Sequence, residues 1–186
     1  MKKIGVSILL LFFLTGCADA SRELERGMKL RSSLLQAESC SFHGEITADY
    51  GDKVHSFGVD CSADGEGNLT FSVTSPESIC GITGKITAEG GKLTFDDQVL
   101  YIPLLTDDQL NPVSTPWIFL KTLRSGYITS AGMEDELLRL SIDDSYDDDA
   151  LHLDIWLNQS DIPVRAEILY DGKRILSMNV TDFEIL

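Results

Sequence analysis

Apolar and polar residues alternate along most of this chain. From Ser39 to Tyr50, Cys40, Phe42, Ile46 and Ala48 fall on one side and Ser41, His43, Glu45 and Thr47 on the other, which predicts a half-buried strand. Tyr50-Gly51-Asp52-Lys53 is a turn signal, and Val54–Cys61 returns with Phe57, Val59 and Cys61 on one side. A tight turn at Tyr50-Gly51 pairs 49 with 52 and therefore 40 with 61. Cys40 and Cys61 then become cross-strand neighbours within reach of a disulfide. Leu69–Val73, Ile82–Ile86, Lys92–Phe95 and Val99–Ile102 continue as short strands between Gly- and Asp-rich turns. After 126 the alternation resumes in Tyr127–Thr129, Leu138–Ile142, Leu151–Ile155, Val164–Tyr170 and Leu176–Ile185, with Asp171-Gly172 as a hairpin signal.

Two segments break the alternation. From Ala20 to Gln36, Leu24, Met28, Arg31 and Leu35 recur at helical spacing with Leu34 beside them. Ser21 is a candidate cap, and Gly27 weakens the helix slightly. The second segment follows a loop at 103–113. Ser114-Thr115-Pro116 predicts a helix start and Ser125-Gly126 its end. Trp117, Ile118, Phe119, Leu120 and Leu123 cover more than one face, so this helix is buried on both sides or covers something apolar. The sum is a mainly β (α+β) domain with an N-terminal helix and a covering helix near 115–125.

The start of the chain is of a different kind. Lys2 and Lys3 precede the apolar run Ile4–Leu14, which is too short to span a bilayer, and Leu14-Thr15-Gly16-Cys17 follows. The tetrad resembles the bacterial lipobox. That resemblance implies a signal peptide over 1–16, a diacylglycerol on the Cys17 sulfur, a short lipidated tether over 17–21 and one domain over 22–186. The expected location is the extracytoplasmic face of a bacterial cell membrane. Two or more acyl chains hold a protein firmly, at ~0.8 kcal/mol per buried CH₂.

Composition narrows the function. Formal net charge is −15, with 30 acidic and 15 basic residues. Ala18–Glu38 is balanced, four against four, so the excess acid lies beyond it. Such a surface disfavours nucleic acid and repels anionic headgroups, leaving lipid rather than charge to hold the protein down. No nucleophile elbow, zinc-binding helix motif or phosphate-cradling glycine loop is present, and His43, His55 and His152 are isolated. The reading is a non-enzyme without a cofactor. Asp143–Asp149 is the one calcium candidate, without EF-hand spacing, and reads better as a solvated hairpin tip.

The order of elements resembles the lipoprotein-localisation (LolA/LolB-like) family. So do Leu69–Val73 with Ser75-Pro76, and the closing piece Ile162–Ile168, Asp171-Gly172-Lys173 and Phe183-Glu184-Ile185. The resemblance implies an open, strongly curved antiparallel sheet, or half-barrel, whose concave apolar face lies under helices and accommodates an acyl chain. The expected lining is Phe42, Phe57, Phe71, Trp117, Phe119 and Leu120. The expected partners are the membrane, through the anchor, and a lipid or lipoprotein acyl ligand. The competing expectation is an envelope protein-interaction or sensing module with a filled core and no lipid cargo.

Overall fold

The computed structural model describes residues 16–186, apart from 97, 103–104, 107–108 and 148–149; side chains are described from residue 21 onward, excluding 103–109. The apolar leader and the first half of the lipobox lie outside the described residues, as does the Cys17 side chain.

Helix α1 (Gly16–Gln36) leads into three long strands, β1 (Ser39–Asp49), β2 (Val54–Asp64) and β3 (Leu69–Ser75). Three short ones follow, β4 (Thr83–Thr87), β5 (Gly90–Phe95) and β6 (Gln98–Ile102). The segment expected to be a loop contains a small hairpin, β7 (Leu105–Thr106) and β8 (Gln109–Leu110), and a 3-10 turn at Pro112–Ser114. Helix α2 (Thr115–Ser125) leads to β9 (Tyr127–Glu134), β10 (Leu137–Asp143), β11 (His152–Leu157), β12 (Pro163–Tyr170) and β13 (Lys173–Ile185).

Eleven strands form one open, curved antiparallel sheet in the order β6-β5-β4-β3-β2-β1-β13-β12-β11-β10-β9. Two meanders, β1–β6 and β9–β13, are joined where the first long strand meets the last, with Cys40 opposite Ile185 and Ala48 opposite Leu176. The Asp171-Gly172 turn adopts positive φ at both residues, as a two-residue hairpin demands.

The β1–β2 register corrects the predicted pairing of Cys40 with Cys61. The connection is a four-residue loop, closed by Tyr50 N–H donating to the Lys53 carbonyl and by Gly51 N–H donating to the Asp49 carboxylate. Asp49 therefore faces Val54, and the register moves by two residues. Cys40 lies opposite Ala63 and Cys61 opposite Phe42. The two cysteines share a face as diagonal neighbours, and both are buried free thiols. Burial pushes the Cys61 thiol far above its ordinary range.

α1 docks through a different stripe from the one its leucines suggest. Gly27, Leu30 and Leu34 are buried, whereas Leu24, Met28 and Leu35 are 42%, 48% and 54% exposed. Gly27 is the point of closest approach: a Cβ there would lie 2.9 Å from both methyl carbons of Leu140. Arg31 reaches α2 and donates through Nε to the Leu123 carbonyl at 2.7 Å, satisfying a C-terminal acceptor of that helix. At the other end of α2, Ser114 is not a capping acceptor; its hydroxyl donates to the Asn111 carbonyl, and Asn111 caps the 3-10 turn instead.

Candidate functional site

α1 and α2 lie against one face of the sheet, and alternation assigns the side chains to it. On β1–β3 this face holds Cys40, Phe42, Ile46, Phe57, Cys61, Leu69, Phe71 and Val73; on β10–β13 it holds Leu138, Leu140, Ile155, Ile168 and Met178, all buried. The six residues expected to line a ligand are all here or on α2, and all are buried: Phe42, Phe57, Phe71, Trp117, Phe119 and Leu120.

Phe42 and Phe119 meet edge to face with centroids 5.6 Å apart, and Phe183 of β13 completes the cluster at 5.8 Å from Phe42 and 6.4 Å from Phe119. Such geometry suits the opposed charge of ring edge and ring face. Phe119 is completely enclosed, because α2 presses it between β1 and β13. Trp117 sits beneath the Lys121 ammonium, 5.6 Å from the ring centre. Phe57 lies opposite Ile46. Phe71 stands over Gly84, where a Cβ would come within 2.4 Å of its ring; glycine is the residue that lets the ring lie flat across β4.

The apolar face does not stop at Phe71. Register carries it on through Gly84 and Ile86 of β4 to Gly91 and Leu93 of β5, and then to Leu100 and Ile102 of β6. Cover thins along this path. Ile86 is wholly buried and Leu93 half-buried, while Phe95 is 47% and Leu100 60% exposed. Val99 and Tyr101, on the other side of β6, are exposed as well, so this edge strand is apolar on both faces. Edge strands of this composition are uncommon in free-standing domains, because they offer unpaired backbone and apolar side chains to any neighbour. These strands are legible in the sequence, but their place in the site is not. Its available signal was the run Val99-Leu100-Tyr101-Ile102, which is apolar without alternating.

The polar groups are networks that the described residues largely satisfy. His43 lies with Nδ1 2.7 Å from Asp60 and Nε2 3.2 Å from Glu45. The Asp60 hydrogen bond raises its pKa above the ordinary value, burial opposes that, and Glu45 adds to it. A raised folded-state pKa contributes stability that is complete below the unfolded value of about 6.5 and is lost as pH rises through the folded one. The ring protons of His43 are therefore expected to titrate with a midpoint above about 6.5 in an NMR pH series, and His43→Gln to flatten the stability profile on that alkaline side. Among the described residues no group of three or more His, Cys, Asp or Glu is placed to hold a metal ion. Within the Asp143–Asp149 segment, Asp148 and Asp149 lie outside the described residues; Asp144 closes the loop by accepting from Leu151 N–H at 2.8 Å. No described helix is long and apolar enough to cross a membrane.

The class defined by this architecture is an open antiparallel sheet with helices on its concave apolar face. No protein-family model matches the chain. No curated protein matches it either. Solved structures similar to it include a LolA superfamily protein from Nitrosomonas europaea, at 13% identity over 91% of this chain and 94% of that one, with a TM-score of 0.45. The lipoprotein LppX of Mycobacterium tuberculosis is 13% identical over 87% of this chain and 93% of that one, with a TM-score of 0.42. An uncharacterized conserved protein from Thermus thermophilus is 13% identical over 90% and 87%, with a TM-score of 0.47. The neighbours thus include LolA superfamily proteins and lipoproteins, the family that the order of elements resembles.

Proposed function

We propose that this chain is a lipid-anchored extracytoplasmic domain, without catalytic activity, that binds an apolar ligand such as an acyl chain on its concave face. The observation that carries the reading is the uncovered end of that face. An apolar row runs from the enclosed core at Ile86 and Phe71 out to Leu93, Phe95 and Leu100, where the helices no longer cover it. Concave apolar surface continuous with a rigid core is the common setting for ligand sites. An acyl chain laid there would bury about 25 cal/mol for each Å² it removes from water. Phe42, Phe57, Phe71, Trp117, Phe119 and Leu120 form the floor and wall behind this opening, and the Cys17 thioether would hold the molecule beside its source of lipid.

The test is displacement of a fluorescent fatty acid from the purified full chain. Leu100→Asp with Phe95→Asp is expected to weaken binding at least tenfold, and the midpoint of thermal unfolding is expected to move little because both side chains are exposed. Unchanged affinity in the double variant would reject the site.

One observation favours a second reading, an interaction module with a filled core. The Phe42–Phe119–Phe183 cluster occupies the centre of the concave face with side chains of the protein itself. On that reading β6 pairs with a strand of a partner protein, and crosslinking from position 101 captures a protein where lipid extraction finds nothing.

A further inference from the structure

The opposite face of β2–β6 holds a feature of another kind. Register fixes it: Ser62 pairs with Thr70, Thr70 with Lys85, Lys85 with Lys92 and Lys92 with Tyr101. These five side chains stand in one row across five strands, and all five are exposed. The adjoining row runs from Asp60 through Ser72, Thr83 and Thr94. Between them lies an open trough of about 560 Å³.

Its charge runs against the rest of the chain. Acidic residues outnumber basic ones 30 to 15, yet strands β3–β6 contain Lys85, Lys92 and no carboxylate. Two carboxylates flank the row: Asp60 at the trough wall, already engaged by His43, and Glu89 of the β4–β5 turn, which lines the far side of the row with Lys85, Lys92 and Tyr101. Like charges directly opposite on neighbouring strands destabilise a sheet, so folding supplies no reason for the Lys85–Lys92 pair. The remaining side-chain polar groups of the two rows are hydroxyls, each able to donate a hydrogen bond. Tyr101, 76% exposed, adds an aromatic face at the end of the row. Two ammonium groups and a set of hydroxyl donors match an oxyanion that offers several oxygens at once, and lysine meets phosphate as a point charge.

We propose that this trough binds a phosphodiester: the phosphate bridges Lys85 and Lys92 and relieves their repulsion, while polyol groups on either side meet the hydroxyls and Tyr101. This site lies on the face away from the acyl-binding surface and stands or falls independently of it. Two sources carry the chemistry, the headgroup of a glycerophospholipid and a soluble phosphodiester polymer.

Isothermal titration of the full chain in neutral detergent distinguishes them, with phosphatidylglycerol in the micelles in one arm and soluble poly(glycerol phosphate) in the other. Binding in either arm, weakened by added salt, is expected; the tighter arm names the source. Lys85→Gln with Lys92→Gln is expected to weaken that binding at least tenfold and to raise the unfolding midpoint slightly, since the repulsion goes too. Lys53→Gln, in the β1–β2 turn, should leave it unchanged. No heat in either arm, or equal affinity in the double glutamine variant, would overturn the proposal.

Discussion

Phe119→Ala lowers the unfolding free energy by about 3–5 kcal/mol, the range for a large aromatic removed from a packed core. Phe119 has no exposed surface and touches rings from both joined halves of the sheet, Phe42 from one and Phe183 from the other. Its removal deletes two edge-to-face contacts and leaves a void that α2 has little freedom to fill. Eight of the eleven residues of α2 are buried, and both its ends are tied down, by Arg31 at the Leu123 carbonyl and by the Asn111 turn before it. Denaturant titration at neutral pH reads the loss. The same measurement tests whether α2 is fixed on the sheet; it does not bear on the uncovered end at Phe95 and Leu100. If α2 were a loosely held cover over an acyl chain, truncation at 119 would cost below about 1 kcal/mol, because the helix would already move away from the sheet.

Asp154→Ala costs about 2 kcal/mol, for a different reason. The Asp154 carboxylate is buried on the face of β11 away from the helices. It accepts from Arg139 Nη2 at 2.6 Å and Ser141 Oγ at 2.6 Å, with His152 Nε2 at 3.3 Å. Breaking a fully buried ion pair costs about 3–5 kcal/mol; here the Arg139 side chain is 41% exposed, and water recovers part of that loss. Burial alone would push the Asp154 carboxyl upward, but the hydrogen bonds from Arg139 and Ser141 and the nearby positive charges outweigh it, and its pKa is lowered. A depressed folded-state pKa gives stability that is present above the unfolded value, about 3.9, and is lost as pH falls through the folded one. The gap between parent and Asp154→Ala is therefore full at pH 7 and narrows below about pH 4. A gap that stayed constant into acid would mean that the charge of Asp154 is not what the network uses.

The strands could be read from sequence because alternation is a strict period of two. Alternation puts Phe42 on one face of β1 and Phe57 on one face of β2, and a register shift by two residues leaves such an assignment intact. That same tolerance is why the cysteine pairing failed. Moving the hairpin from a two-residue to a four-residue loop kept Cys40 and Cys61 on one face but changed which residue each opposes. The helix face failed for another reason. Leu24, Met28 and Leu35, with Leu34 beside them, make a better apolar stripe than Gly27 and Leu30, yet of that stripe only Leu34 is buried, and a hydropathy pattern counts glycine as a gap. In the fold glycine is what brings α1 down onto Leu140. The exposed end of the concave face was not legible either, because alternation says which side of a strand is apolar and nothing about how far the helices extend over it. The lysine row needed the pairing of five strands, which no local pattern contains.

Each meander is assembled from strands adjacent in sequence, so its contacts are local and quickly made. The junction of β1 with β13 is the opposite: it brings together residues near the two ends of the folded domain. Contacts so remote in sequence carry the greatest loop-closure entropy and are slow to form. The C-terminal strand thus acts as a fastener. Until it slots between its two neighbours, the molecule consists of two ribbons with open edges, and a chain truncated within that strand would lose the union of the halves rather than a peripheral tip.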